Sequence, residues 1–345
     1  MRFTTAVALA AAAAPVAVSA KGRLGYAIGV RNKDSSCKGY DEFKADFAAL
    51  NELKKTNQIA PEVVRTYSTI DHGADDVGGA PCTVPLPILQ AAKEAGIKVI
   101  LGLWGDSDDS FNKETKAITD VLDNDKDGSL ASTIYAFTVG SEGLYRNEQK
   151  AGTGYEAKDI LRRINAFKDT ITAPKYKLKQ KVGTADSWNK FQDGTADDLI
   201  TGGVNLLLVN AFGYWQSQDI SNASATYLDD LQQAYGHIQS VAGSTDSIEL
   251  WNGETGWPTD GGTNYHDDKY SGTAVAGTVN AQKFYKEGVC AALDWNFDVF
   301  YFEAFGEPWK PNSNGLNGQP GDEKHWGAFD ADRVQIVKDL SCSYP

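Results

Sequence analysis

Beyond residue 20 this 345-residue chain has no apolar run near the roughly 20 residues that a membrane-spanning helix needs. It has neither a GxGxxG nor a GxxxxGKS/T segment, which removes the common nucleotide-binding loops, and no GxSxG elbow, which counts against a serine hydrolase. Its four cysteines form no CxxC pair, and its four histidines, His72, His237, His266 and His325, show no HxxxH spacing and no pairing with the cysteines. A zinc site and a dithiol redox centre are therefore not expected, and no metal or cofactor is. Positive charge is also short: 33 Lys and Arg face 46 Asp and Glu, a net charge of −13. Such a balance repels nucleic acid and anionic lipid, so neither is an expected partner.

What is present begins with an export signal. MRFTTAVALAAAAAPVAVSA has one arginine, an Ala/Val-rich run and small residues at Val18 and Ala20, the pattern of a secretory leader over residues 1–20. The SCSYP end lacks the hydrophobic tail of a lipid-anchor signal, so a secreted or wall-associated chain of residues 21–345 is expected. In an oxidising compartment Cys37, Cys82, Cys290 and Cys342 predict two disulfides, with three pairings open. Asn222-Ala223-Ser224 is one N-glycosylation sequon.

Apolar and amphipathic stretches alternate along the rest. Strands are predicted at 24–30, 63–69, 98–104, 135–141, 181–187, 206–212, 248–254 and 299–305, all rich in β-branched and aromatic residues. Helical patterns lie between them: YDEFKADFAALNELKK, PLPILQAAKEAG, KETKAITDVLD, EAKDILRRINAFKDTI, SATYLDDLQQAYGHIQSV and AQKFYKEGVCAALDW. Asp41 and Ser224 are expected helix caps, and Gly96 a helix stop. Eight strand-helix units without a long linker predict an α/β fold, a single-domain (β/α)8 TIM barrel; a doubly wound open sheet is the runner-up. On a barrel Cys37 and Cys82 fall in loops on one face, while Cys290 lies in the last long helix and Cys342 in a terminal helix beside it. This placement favours Cys37–Cys82 and Cys290–Cys342.

Active sites of such barrels lie at the C-terminal strand ends. There the chain puts Glu142 after strand four, Glu254 after strand seven and the cluster FEAFGEPWK after strand eight. A carboxylate past a strand is ordinarily a cap or a solvated loop residue. Two of them converging from different strands suit glycoside hydrolysis, in which one protonates the leaving oxygen and the other attacks the sugar carbon. DNDKDGSL at 123–130 starts like a calcium loop, but position twelve is Ile134 instead of glutamate, so a polar turn is expected.

Taken in order, GYAIGV, VRTYST, FTVGSEGLYR, VNAFGYW, WNGETGWPTDGG and FEAFGEPWK resemble the fungal branch of glycoside hydrolase family 17 over essentially the whole mature chain. VGSE and GETGWPTDGG are its specific parts. The resemblance implies a retaining β-1,3-glucan enzyme with Glu142 as acid/base and Glu254 as nucleophile, their carboxyls about 5 Å apart. Glu142 then has to start protonated and Glu254 ionised. It further implies that Arg65 holds Glu254 charged, that Tyr214 donates to the same carboxylate, and that Glu307, Lys310 and Glu323 form a polar network beside the acid/base residue. Asn210 of VNAFGYW belongs with the supporting residues. Ser141 stands where the wider clan has a sugar-contacting asparagine, and Gly143 and Gly306 replace bulkier residues. Tyr26, Tyr67, Trp104, Tyr214, Trp215, Trp257 and Trp309 are candidate sugar platforms, with core packing the alternative for each. Asp260 is expected to structure its loop.

The expected function is a β-1,3-glucan glucanosyltransferase/endo-hydrolase of the fungal wall, with β-1,6 branching as one outcome of transfer. Hydrolysis alone is the alternative, and a non-catalytic glucan binder the third, against which both intact glutamates speak. The expected partner is β-1,3-glucan in oligomeric or polymeric form, and a monomer is expected.

Overall fold

The computed structural model describes residues 21–71, 81–150, 152, 154–261, 264–266, 269, 272–314 and 320–343. The leader over residues 1–20 and His72 lie outside the described residues. Eight parallel strands, β1 (Leu24–Ala27), β2 (Val63–Arg65), β3 (Lys98–Leu103), β4 (Ile134–Ser141), β5 (Lys181–Ser187), β6 (Leu206–Asn210), β7 (Glu249–Thr255) and β8 (Asp298–Tyr301), pair in sequence order and close when β8 meets β1. Helices separate them, so the chain is a (β/α)8 TIM barrel. Among the described residues no helix is long and apolar enough to cross a membrane.

The helices start and stop where local chemistry allows. In α1 (Tyr40–Lys55) the Glu42 carboxylate accepts the Gly39 N–H at 2.9 Å, with acids in the first turn and Lys54 and Lys55 in the last, as the helix dipole favours. Asp41 is thus inside the first turn and not the cap. Pro85 opens α2 (Pro85–Ala95) and Gly96 ends it at φ 69°, a left-handed conformation that glycine adopts without penalty. Ser107 caps α3 (Asp108–Asn124) by accepting the Ser110 N–H. Short helices α4 (Gly143–Glu148), α6 (Trp188–Gln192) and α7 (Asp197–Thr201) flank α5 (Ala157–Thr172). Asn222, not Ser224, precedes α8 (Ala223–Ala242); its exposed amide donates to Gln218 and Thr226. The last helical run passes from α9 (Thr278–Phe284) through a π turn into α10 (Cys290–Asp294).

The barrel lumen is a packed core. Val63, Ile100, Ala136, Ala185, Leu206, Leu208, Trp251 and Phe300 fill it, with Trp251 stacked on Phe300 at 4.6 Å between ring centroids. Below them the Arg23 guanidinium covers Trp251 and bonds Tyr135, Glu249 and Asp298, which shuts the N-terminal end. Only the C-terminal mouth is left for chemistry.

Two strands carry an extra residue just before that mouth. Against β5, Thr138 pairs with Gly183 but Ser141 with Ala185, three residues of β4 matching two. Against β6, Val209 pairs with Asn252 but Asn210 with Glu254, so β7 also gains one. Such bulges break the strict in-out alternation and re-aim the next side chain.

Disulfides join Cys37 to Cys82, 45 residues apart, and Cys290 to Cys342, 52 apart. Cys342 sits in irregular chain, not in a terminal helix: Leu340 is instead held by Tyr285 and Gln58. Closing a loop of this length restricts the unfolded chain by about 4 kcal/mol. The Cys290→Ser/Cys342→Ser double variant is therefore expected to lose about 2–4 kcal/mol in chemical denaturation, and an unchanged midpoint would contradict this.

Candidate active site

Both glutamates follow the bulges. Glu142 leaves β4 with φ 54° and ψ 30°, a left-handed conformation uncommon outside glycine, two residues after Gly140 at φ 80°. Its N–H donates to the Ala185 carbonyl at 2.9 Å. On β7, the Asn252 amide donates to both Val209 and Glu254 carbonyls, at 2.7 and 3.0 Å, and accepts from Tyr227. This amide fills the gap that the extra residue opens. Gly253 is required there, because a Cβ would stand 2.5 Å from the Asn210 side chain and 2.8 Å from Leu208.

Arg65, fully buried at the end of β2, binds the site from inside the barrel. One nitrogen donates to the Gly253 carbonyl at 2.7 Å and to Glu254 Oε1 at 3.2 Å; the other donates to Ser141 Oγ at 3.2 Å. Asn210, at the end of β6, donates from Nδ2 to Glu142 Oε1 at 3.1 Å and stands opposite Glu254 in the β6–β7 register. The two glutamates thus meet around one asparagine, near enough for the Glu142 charge to raise the Glu254 carboxyl.

Burial pushes the Glu254 carboxyl up to about 7; Arg65 pulls it down, the neighbouring Glu142 raises it again, and Lys310 and Asn210 lower it. The expectation that hydrogen bonds keep Glu254 ionised thus meets a stronger desolvation than the sequence reveals. Its anion is therefore favoured by Arg65 and opposed by burial.

A second acidic group stands beside it. Lys310 Nζ bonds Glu303 Oε2 at 3.1 Å and also contacts Glu307 Oε2, while Glu323 adds its charge to Lys310 from a half-buried position. Glu307 and Lys310 thus come together, with Glu323 near enough to add its charge, but their influence falls on Glu254 rather than on the acid/base residue that the resemblance implied, and Glu303, fully buried, was not singled out. Burial drives the Glu303 carboxyl well up, and the adjacent Glu307 adds to the shift; Glu307, facing Lys310, stays low despite its burial. Its only sequence signal was a place in the FEAF run.

The aromatic candidates divide. Tyr26 is fully buried on the outer face of β1 against Tyr301, since Gly25, not Tyr26, meets the lumen ring of Phe300. Trp257 is also fully buried, its indole N–H donating to Val275 and its ring against Tyr214 and Phe284. Neither offers a face to a sugar, which corrects both expectations. The Tyr214 ring is equally enclosed, by Trp215, Trp257, Tyr265 and Trp326. Partly exposed rings remain at Tyr67, Trp104, Trp215 and Trp309, joined by Phe212 and Phe302, which the sequence did not single out. Tyr67 lies under Arg65 and edge-on to Phe302, and Trp104 lies under the Arg146 guanidinium at 4.3 Å.

Two further carboxylates escaped the sequence. Glu114 of α3 is fully buried and accepts from Ser68 Oγ and from the backbone of Thr69, Trp104 and Gly105, so it ties the β2 and β3 loops that carry Tyr67 and Trp104. Asp186 of β5 is fully buried beneath the start of α4. Elsewhere, Asp125 and Asp127 of DNDKDGSL accept backbone N–H groups of their own turn, and among the described residues no three His, Cys, Asp or Glu side chains converge on a metal position. Asp260 accepts the Gly261 N–H.

Residues 25–327 match the BtgE/BtgC glycoside hydrolase domain. A glucan 1,3-beta-glucosidase of Arthroderma benhamiae is 44% identical over 96% of this chain and 95% of its own length. Its namesake from Saccharomyces cerevisiae is 36% identical, covering 95% of each. Among solved structures, an active-site mutant of Rhizomucor miehei beta-1,3-glucanosyltransferase in complex with laminaritriose superposes with a TM-score of 0.68 at 26% identity, over 92% of this chain and 98% of that one.

Proposed function

Because this chain belongs to the BtgE/BtgC glycoside hydrolase family, we propose that it is a retaining glucanosyltransferase of glycoside hydrolase family 17 that cuts and rejoins β-1,3-glucan. The observation that carries this reading is the convergence of Glu142 and Glu254 at the barrel mouth, where Asn210 bonds the first and pairs in register with the second and the charge of Glu142 reaches the Glu254 carboxyl. An acid/base residue and a nucleophile brought together from two strands suit a retaining pair. The names of the relatives and the laminaritriose complex support β-1,3-glucan as substrate.

In the first step Glu254 attacks the anomeric carbon while Glu142 gives its proton to the glycosidic oxygen, and the reducing-end fragment leaves as an alcohol. The result is a glycosyl ester on Glu254. In the second step an incoming hydroxyl attacks the same carbon, Glu142 takes its proton, and the Glu254 carboxylate is released. Arg65 lowers the Glu254 carboxyl against the effect of burial and so favours its anion at both ends of the cycle. Lys310 adds a positive charge near Glu254, and its bonds to Glu303 and Glu307 fix the β8 exit. Tyr67, Trp104, Trp215 and Trp309 supply ring faces for the glucan.

With residues 1–20 as an export leader, the remaining chain acts as a single catalytic domain outside the cell, where its two disulfides persist. Transfer differs from hydrolysis only in the acceptor. Incubation with laminaripentaose is expected to give oligosaccharides longer than the donor, their new linkage read by NMR. Shorter products alone would make the protein a hydrolase, and unchanged donor would make it a binder.

A further inference from the structure

Glu142 sits in a left-handed backbone conformation that a non-glycine residue adopts only at a cost, so its surroundings must impose it. On one side, Tyr155 presses on the turn: a Cβ at Gly140 or Gly143 would stand 2.7 or 2.3 Å from its side chain. The Tyr155 hydroxyl donates to the Trp104 carbonyl at 2.9 Å. On the other side stands Asp186. Its Oδ2 accepts the Leu144 N–H at 2.8 Å, and its Oδ1 accepts the N–H groups of Tyr145 at 3.1 Å and Ser187 at 2.9 Å.

Leu144 and Tyr145 are the second and third residues after Glu142, in the first turn of α4. A buried carboxylate that engages two consecutive N–H groups of a helix's first turn fixes both position and rotation of that turn. Both of its oxygens accept, and every donor is main chain. No cation bonds Asp186 among the described residues. Burial pushes this carboxyl up to about 7, the backbone N–H groups hold it back, and the Glu142 charge adds to the rise. The two groups therefore feel each other directly.

We propose that Asp186 is a positioning residue for the acid/base step: it holds the first turn of α4 and thereby aims the Glu142 carboxyl at the glycosidic oxygen. This rests on the reading of Glu142 as the acid/base residue. Asp186 touches neither substrate nor the reacting bond, and it acts through Glu142 alone. Asparagine is a demanding substitute despite its equal size, because one of its two positions becomes an NH2 group facing an N–H donor.

The test exploits the leaving group. A glucan alkoxide departs only with a proton from Glu142, whereas 2,4-dinitrophenolate departs unaided. For Asp186→Asn, kcat/KM on laminaripentaose is expected to fall about tenfold to a hundredfold. On 2,4-dinitrophenyl β-laminaribioside it is expected to stay within about threefold of the parent, since acid assistance is not needed. Equal loss on both substrates, or loss on neither, overturns the proposal. Asp186→Ser, which retains one acceptor oxygen, is the second variant if the asparagine form does not fold, with the same contrast expected. Glu142→Gln is measured alongside. If Glu142→Gln lacks leaving-group dependence, the acid/base reading fails; if it shows it and the Asp186 variants do not, only the positioning role fails.

Discussion

Glu254→Gln is expected to abolish glycosyl transfer while making the protein more heat-stable above pH 7. Loss of the nucleophile removes the covalent route altogether, a decrease of about four orders of magnitude or more. The stability gain follows from the same carboxyl. Its value rises from the ordinary 4.5 to about 7 in the fold, so the folded state favours the neutral form. The stability linked to this group is fully present below its unfolded value and disappears as pH rises from about 4.5 through 7. The loss amounts to something on the order of 3 kcal/mol at pH 8. Arg65 is already counted in that balance, because burial outweighs its attraction. Glutamine is neutral at every pH and escapes the loss. The melting temperature of Glu254→Gln should therefore exceed that of the parent at pH 8, with the gap closing by pH 5. Undiminished activity would remove Glu254 as nucleophile; a gap independent of pH would refute the burial account. Glu254→Gly with azide should give the inverted glycosyl azide.

Arg65→Met should fail in a different way, by displacing a pH profile. The guanidinium is fully buried, bonded to Glu254, Gly253 and Ser141, and the side chain most responsible for pulling the Glu254 carboxyl down. An opposite charge at such range is worth about one to three pKa units. Without it Glu254 titrates well above 7, and kcat/KM at pH 6 should drop by about ten- to a thousandfold. Activity should then climb with pH over a range where the parent is already flat. Arg65→Lys is not expected to restore it, because a single ammonium lacks the planar fork that reaches three acceptors on two strands. An Arg65→Met enzyme with the parental pH profile would exclude this role.

Much of this architecture is legible in the chain. Each predicted strand overlaps a barrel strand, though those at 24–30, 63–69 and 299–305 run three or four residues past its end, and the amphipathic runs became helices, because parallel strands under helices leave long apolar segments broken by polar loops. What was not legible is orientation. Strands buried on both faces do not alternate visibly, so LGYAIGV does not say whether Gly25 or Tyr26 faces the lumen, and Tyr26 was left between sugar platform and core. Trp257 shares that origin: it follows Glu254 closely but turns outward under α9. Glu307 and Lys310 were reached through the family resemblance. Glu114, Asp186 and Glu303 were not, since a carboxylate in a helix or at a strand end looks the same whether water or backbone N–H groups surround it.

The extra residues in β4 and β7 make the chemistry depend on chain length at two points rather than on residue identity alone. A substitution scan samples identities and never counts, so it is blind to this dependence. Sequence alignment is exposed to it in the opposite sense: a gap slid past Gly140 or Gly253 carries a glutamate from one wall of its strand to the other. Relatives of this chain are best superposed on these two strands first, with gaps assigned afterwards.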